Sequence, residues 1–186
     1  MPGVDISAAL NVERYFDAGR ALAPWAMTVS DAGGARRVEG VPVVSPAGAV
    51  SVRPVDLTAQ EDGRQFIWTG NGTVAIAGPA ADLGRQLNNA FALAIDWRID
   101  TPPAGRVALS FGDKALHISE AVRSAPRGRA GMLQIPLRCF AGAGVDITKV
   151  GTPFSLMTDG AFGETIARVR LEPITSADAC PPLLPG

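Results

Sequence analysis

The sequence predicts an all-β fold, an antiparallel β-sandwich of jelly-roll type with one or two short helices. Three observations predict it. Apolar residues alternate with a period of two along most of the chain, where a helix would repeat near 3.6. Strand-like segments recur roughly every ten residues with turn residues between them. The 21 glycines and 15 prolines of the 186 residues are heavy punctuation for a helical bundle and suit short strands joined by turns.

The elements follow in order. Asn11 to Ala23 reads as a short helix with Val12, Tyr15, Phe16 and Leu22 on one side, or else as an irregular arm. Trp25 to Val29 reads as the first strand, closed by the turn Ser30-Asp31-Ala32-Gly33-Gly34. Ala49 to Val52 and Val55 to Leu57 alternate around Pro54. Gln65 to Thr69, the turn Gly70-Asn71-Gly72 and Thr73 to Ala77 together predict a hairpin. The strongest strand is Phe91 to Ile99, with Phe91, Leu93, Ile95, Trp97 and Ile99 inward and Ala92, Ala94, Asp96, Arg98 and Asp100 outward. Arg106 to Phe111, Lys114 to Ser119, Met132 to Arg138, Phe154 to Thr158 and Thr165 to Leu171 complete the strands. Only Ala80 to Ala90 and the Asp146 to Val150 turn look helical. The chain thus divides into an N-terminal arm or linker at 1–24, the sandwich at 25–175 and a proline-rich tail at 176–186.

Composition excludes several functions. Hydrophobic residues at 47% and charged residues at 19% supply a real core and exclude disorder. A net charge of −1 argues against nucleic-acid and membrane-surface partners, which usually meet a basic excess. No apolar run is long enough to span a bilayer. Met1 to Asp5 lack the basic head and apolar middle of an export signal, and the sequence reads as a fragment cut from a longer protein.

The chemistry-bearing residues are few. His117 is the single histidine, too few for a zinc site or a proton relay, and it reads as a half-exposed strand residue. Cys139 and Cys180 either pair in an oxidising compartment or stay as two buried thiols, and the thiols are the expectation. No Gly-x-Ser-x-Gly elbow occurs, and Gly70-Asn71-Gly72 and Gly142-Ala143-Gly144 match no phosphate-binding fingerprint. Asp31 ends a strand at a Gly-Gly turn and reads as a turn or capping residue. No cofactor is expected apart from a structural calcium, for which Glu61, Asp62 and Glu172 are the candidate oxygen donors.

Sugar binding without catalysis asks for aromatic faces and planar polar groups. Trp97 shares the apolar face of its strand and belongs to the core. Trp68 shares a face with Phe66 and leans to the core, yet it is the aromatic retained as a stacking candidate. The outward residues Asp96 and Arg98, Gln134 and Arg138, and Arg168 and Arg170 would form an arginine-rich sheet face if their strands are neighbours. Such a face is either solvated or docked, with cross-strand ion pairs, or it is a ligand groove.

Several segments stand together in a recognisable order. Ala59-Gln60-Glu61-Asp62 leads to Trp68-x-Gly70, followed by Ile95-Asp96-x-Arg98-x-Asp100-x-Pro102. Ile135-Pro136-Leu137-Arg138-Cys139-Phe140 precedes Ala143-Gly144-x-Asp146, and Pro153-Phe154-x-Leu156-x-Thr158-x-Gly160 closes the series. From about residue 15 to 172 this series resembles the C-terminal domain of bacterial family 3 glycoside hydrolases of the exo-1,3/1,4-β-glucanase and glucan 1,4-β-glucosidase type. Gly19-Arg20-Ala21-x-Ala23-Pro24-Trp25 resembles the linker that joins that domain to the catalytic part.

The resemblance implies a galactose-binding-like jelly roll at the end of a secreted or periplasmic enzyme. Its partners would be the catalytic domains and a β-glucan oligosaccharide. The family's nucleophile and acid/base lie in the preceding domains, so no catalytic residue carries over. The alternative is a stand-alone interaction sandwich with no sugar affinity. Two departures from the family pattern matter. Phe111-Gly112-Asp113-Lys114 stands where many members carry a cysteine pair, and Met132 stands where many carry a tryptophan.

Overall fold

Period-two alternation is realised as two antiparallel sheets packed face to face. The computed structural model describes residues 13–174 and 180–181. The first strands are β1 (Arg14–Asp17), β2 (Arg20–Ala21), β3 (Ala26–Asp31), β4 (Gly34–Arg37) and β5 (Val43–Val44). They are followed by β6 (Val50–Val55), β7 (Gly63–Trp68), β8 (Gly72–Ala77) and β9 (Phe91–Thr101). The last are β10 (Val107–Phe111), β11 (Lys114–His117), β12 (Ala130–Pro136), β13 (Phe154–Thr158) and β14 (Phe162–Pro173). Among the described residues three short helices join them: α1 (Gly84–Asn88), α2 (Ser119–Ser124) and α3 (Leu137–Gly142). The larger sheet runs β12-β9-β14-β7-β6-β5, with β1 also on β14 and β2 on β1. The smaller runs β11-β10-β13-β8-β3-β4.

The core lies between the sheets. Phe91, Leu93, Ile95, Trp97 and Ile99 of β9 are all buried, as their alternation predicts. Val74 and Ile76 of β8, Val107, Leu109 and Phe111 of β10, and Phe154 and Leu156 of β13 are buried on the smaller sheet. Each such side chain contributes on the order of 1.5–3 kcal/mol through its burial. His117 is half-buried at the end of β11, opposite Ala108, as a strand residue should be.

Four local expectations are corrected. Residues 14–21 form a hairpin, not a helix: Ala18 (φ 49°) and Gly19 (φ 77°) supply the two left-handed positions of a tight two-residue turn. Register slips between Arg14 and Phe16 against β14, and that irregularity lets the consecutive Tyr15 and Phe16 both be buried. Tyr15 meets Trp25 edge-on at 5.0 Å.

The Gly70-Asn71-Gly72 turn joins no hairpin. β7 lies in the larger sheet and β8 in the smaller, so the turn is a corner between sheets. Gly72 makes this close approach possible, because a Cβ there would collide with Val50 Cγ2, and its carbonyl accepts the Trp68 indole N–H at 3.1 Å. The predicted strand 132–138 stops at Pro136, and Leu137 and Phe140 then enter the core from α3. Finally, Cys139 and Cys180 are bonded to each other, with Cα atoms 5.4 Å apart, and are not free thiols.

Asp31 behaves as the turn residue its context predicts. Its carboxylate accepts from the Gly33, Ala47 and Ala49 amides and the Ser45 hydroxyl, tying the β3–β4 turn to the start of β6. The Ser45 hydrogen bond leads in holding its pKa down to about 2, helped by the three amides against a smaller opposing effect of burial.

Candidate functional site

The outer face of the larger sheet carries a polar ladder because β9 and β14 are neighbours and their polar residues alternate outward together. Arg168 pairs with Asp96 in register, and Thr165 with both Arg98 and Gln65. Two networks result. In the first, Asp100 accepts from Arg98 Nε at 2.6 Å, Thr165 Oγ1 at 2.6 Å and Gln65 Nε2 at 3.0 Å. Arg53 extends it by donating to Gln65. Burial raises the Asp100 carboxyl, but these hydrogen bonds outweigh it and hold the group below the ordinary carboxylate range.

In the second network, Asp96 Oδ2 accepts from Arg168 Nε at 2.6 Å and from Arg170 Nη1 at 2.9 Å. Arg170 also grips Glu172, whose other oxygen accepts from Gln134. These long side chains stand over Ala92 and Ala94, which are fully buried although they point outward. Small residues in the middle strand let the flanking polar ones lie flat across it.

A groove of about 620 Å³ crosses this face, a size typical of small-ligand sites. Its floor includes Asp96, Ala167 and Arg168. One wall is the β6–β7 loop (Leu57, Thr58, Asp62) with the β1–β2 turn, and the other is the β12 edge with Met132. Asp62 shapes the first wall by accepting from the Leu57, Thr58 and Ala59 amides and the Thr58 hydroxyl. Burial opposes ionisation there, yet the hydrogen bonds prevail and lower its pKa to about 2. Met132 is 50% exposed, a large apolar side chain standing beside charge.

Of the residues expected here, Asp96, Arg98 and Gln134 lie on the face, with Arg98 partly beneath the β6–β7 loop through its contact to the Asp56 carbonyl. Arg138 does not, because the strand ends before it, and its guanidinium on α3 reaches Cys180 Sγ at 3.5 Å. Trp68 is not available to stack on a sugar: it is 1% exposed and stacks on Phe162 in the core at 5.3 Å. Glu61, Asp62 and Glu172 do not form one site. Asp62 lies at the start of β7, beside the β14 residues near Ile166, whereas Glu172 pairs near the other end of β14 against Ala92. Among the described residues no three His, Cys, Asp or Glu side chains gather as a metal-holding group. Gln65, Thr165 and Met132 were not among the residues expected here, and their outward alternation is the signal that could have found the first two.

A family model described as galactose-binding domain-like matches residues 23–171. The chain belongs to this family. The resemblance read from the motifs is borne out at that level. Among solved structures, the galactose-binding-like domain superposes on the exo-1,3/1,4-β-glucanase of a Pseudoalteromonas species with a TM-score of 0.75 at 19% identity. That match covers 90% of this chain but 21% of the enzyme, so the domain spans about a fifth of that relative. The same glucanase's extra C-terminal domain alone gives 0.71 at 19% identity, covering 89% of this chain and 95% of that one. A family 11 carbohydrate-binding module of Clostridium thermocellum, in complex with a β-1,3-1,4-mixed-linked tetrasaccharide, gives 0.54 at 10% identity, over 87% and 96%. At these identities the likeness is one of fold. No curated protein matches the sequence. Among the described residues no helix is long and apolar enough to cross a membrane.

Proposed function

We propose that this galactose-binding-like domain is the non-catalytic accessory domain of an exported β-glucan-degrading exo-glycosidase and holds a glucan chain weakly on the outer face of its larger sheet. The groove above Asp96, Ala167 and Arg168 is the observation that carries this reading. Charged groups there are already aligned by their partners, so a sugar hydroxyl meets donors and acceptors whose orientation costs little further entropy. Met132 offers the apolar surface on which a sugar's C–H face can rest. The disulfide fits an oxidising, secreted or periplasmic location. A glycosidase needs two opposed carboxyls free to act, whereas Asp96, Asp100 and Glu172 are each neutralised by an arginine. Packing of the same face on the catalytic domains, near their active-site entrance, is compatible with this role.

The test is a titration of the domain with cello- and laminari-oligosaccharides, read by amide chemical shifts and calorimetry. Saturable binding at millimolar concentration is expected, with the largest shifts at Gly131, Met132, Ala167 and Arg168. Arg168→Ala is expected to weaken it about tenfold while the melting temperature stays put. Absence of any shift at millimolar sugar would overturn sugar binding and leave packing on a partner as the role of this face.

A further inference from the structure

Arg64 points inward from β7, beside Phe66 and Trp68, yet it does not enter the apolar core. Its guanidinium emerges where the sandwich opens at one end, beneath Gly19, whose missing side chain leaves room for it. There it lines a cavity of about 530 Å³ together with Arg20 from β2, Arg37 from the end of β4, and the apolar Trp25, Val38 and Val41. The cavity lies across the β1–β2 hairpin from the sheet groove: Asp17 and Ala18 line the groove, while Gly19, Arg20 and Ala21 line the cavity.

The charge of this cavity is out of balance. Arg37 is ion-paired with Glu39 at 3.3 Å. Among the described residues neither Arg20 nor Arg64 forms a salt bridge. Arg64 Nη1 donates to the Glu61 and Gly63 carbonyls, which fix its position without cancelling its charge. Burial, and then the charge of Arg20, lower its pKa, while Glu61 offsets them only in part. Two guanidiniums near enough to repel, beside a cavity of ligand size, are the arrangement that a single carboxylate relieves, because it accepts hydrogen bonds from both. The rest of the lining combines Glu39, held by Arg37, with the apolar Trp25, Val38 and Val41, and these three offer the ring of a pyranose a surface that a small hydrated ion would not use.

We infer that this cavity is a second ligand site, selective for a pyranose that bears a carboxylate: a uronic acid residue, free or at the end of a glycan. The site is separate from the neutral-glucan groove and does not depend on it. The carboxylate sits between Arg20 and Arg64, and the ring lies against Val38, Val41 and the Trp25 side of the cavity.

The experiment is an amide-shift titration of the domain with D-glucuronate, with D-glucose, acetate and an acetylated Glu-Glu dipeptide amide as separate arms. Glucuronate is expected to give saturable shifts at Gly19, Arg20, Ala21, Val38 and Gly40, weakening severalfold between low and physiological salt. Arg20→Gln, an exposed position whose replacement leaves the fold intact, is expected to weaken glucuronate at least fivefold without altering oligoglucan shifts at Met132 and Arg168. No shift at these amides, or equal binding of glucose, overturns the site. Acetate or the dipeptide matching glucuronate overturns the assignment to a sugar acid. The two sets of amides keep failure here distinct from failure of the sheet groove.

Discussion

Glu164 sits in the middle of β14 between the inward Phe162 and Ile166, opposite Phe66 and Ile99. It is fully buried, and neither carboxyl oxygen has a hydrogen-bond partner. Burial foremost, and then the charge of Asp100, raise its pKa from the ordinary 4.5 to about 8. The folded state therefore keeps a proton that the unfolded chain sheds near pH 4.5. Stability is full below that pH, falls as the pH rises, and stops falling once the folded carboxyl ionises near 8. At about 1.36 kcal/mol per unit, the loss between pH 5 and 7.5 is on the order of 3 kcal/mol. Glu164→Gln keeps the shape and removes the proton. Urea unfolding of both proteins at pH 5, 6, 7 and 7.5, followed by tryptophan fluorescence, measures the difference. The stability of the parent relative to the variant should fall by that amount across the series. Asp31 and Asp62, with pKa values near 2, contribute equally at every pH of the series and lose that contribution only below the ordinary 3.8, and any other group titrates alike in both proteins. Parallel pH profiles for the two proteins would refute the reasoning.

Three further outcomes are expected. Cys139→Ser should cost up to about 4 kcal/mol of stability in the chain-entropy account of a bridge separated by 41 residues, and reduction of the parent should match it in urea unfolding. Gly72→Ala forces a methyl into Val50 at the corner between sheets and should destabilise by roughly 1–3 kcal/mol in the same assay. Asp100→Ala strips the acceptor from Thr165, Gln65 and Arg98 and should cost about 2–3 kcal/mol, a loss that a second substitution of Arg98 should not double.

Alternation made most of the sandwich legible, because an inward row such as Phe91 to Ile99 has one solution once one face is buried. What escaped was decided by contacts distant in sequence. Gly70-Asn71-Gly72 carries the chemistry of a hairpin turn, and only Val50 and Trp68, brought against Gly72, make it a corner. Tyr15 and Phe16 in succession fit neither a helix face nor a regular strand, and the slipped register on β14 is what buries both. Glu164 went unseen because Thr165 reads as the strand's first residue, whereas pairing with β7 starts it at Phe162. On the candidate face, Asp96, Arg98 and Gln134 were legible as outward residues. Arg138 was not, because its place depended on where Pro136 ends a strand, whereas the face that Trp68 shares with Phe66 already leaned it to the core, where it lies.

The pairing of the polar face bears on how tightly a sugar would be held there under the proposed function. Arg170 contacts Asp96, Glu172 and the Met132 sulfur, so its donors are already engaged, and a hydroxyl could take one only by exchange. Arg168 differs. It meets Asp96 through Nε alone, and its side chain is 53% exposed against 17% for Arg170. Its outer nitrogens therefore gain hydrogen bonds to a ligand without breaking an ion pair, while Asp96 keeps the guanidinium plane aligned. Binding energy on this face should concentrate at Arg168 and Met132 and stay small, since hydroxyl hydrogen bonds there only replace those to water. Arg170→Ala, by contrast, should act on stability: it leaves the part-buried Glu172 without its arginine, so the melting temperature falls whether or not sugar is present.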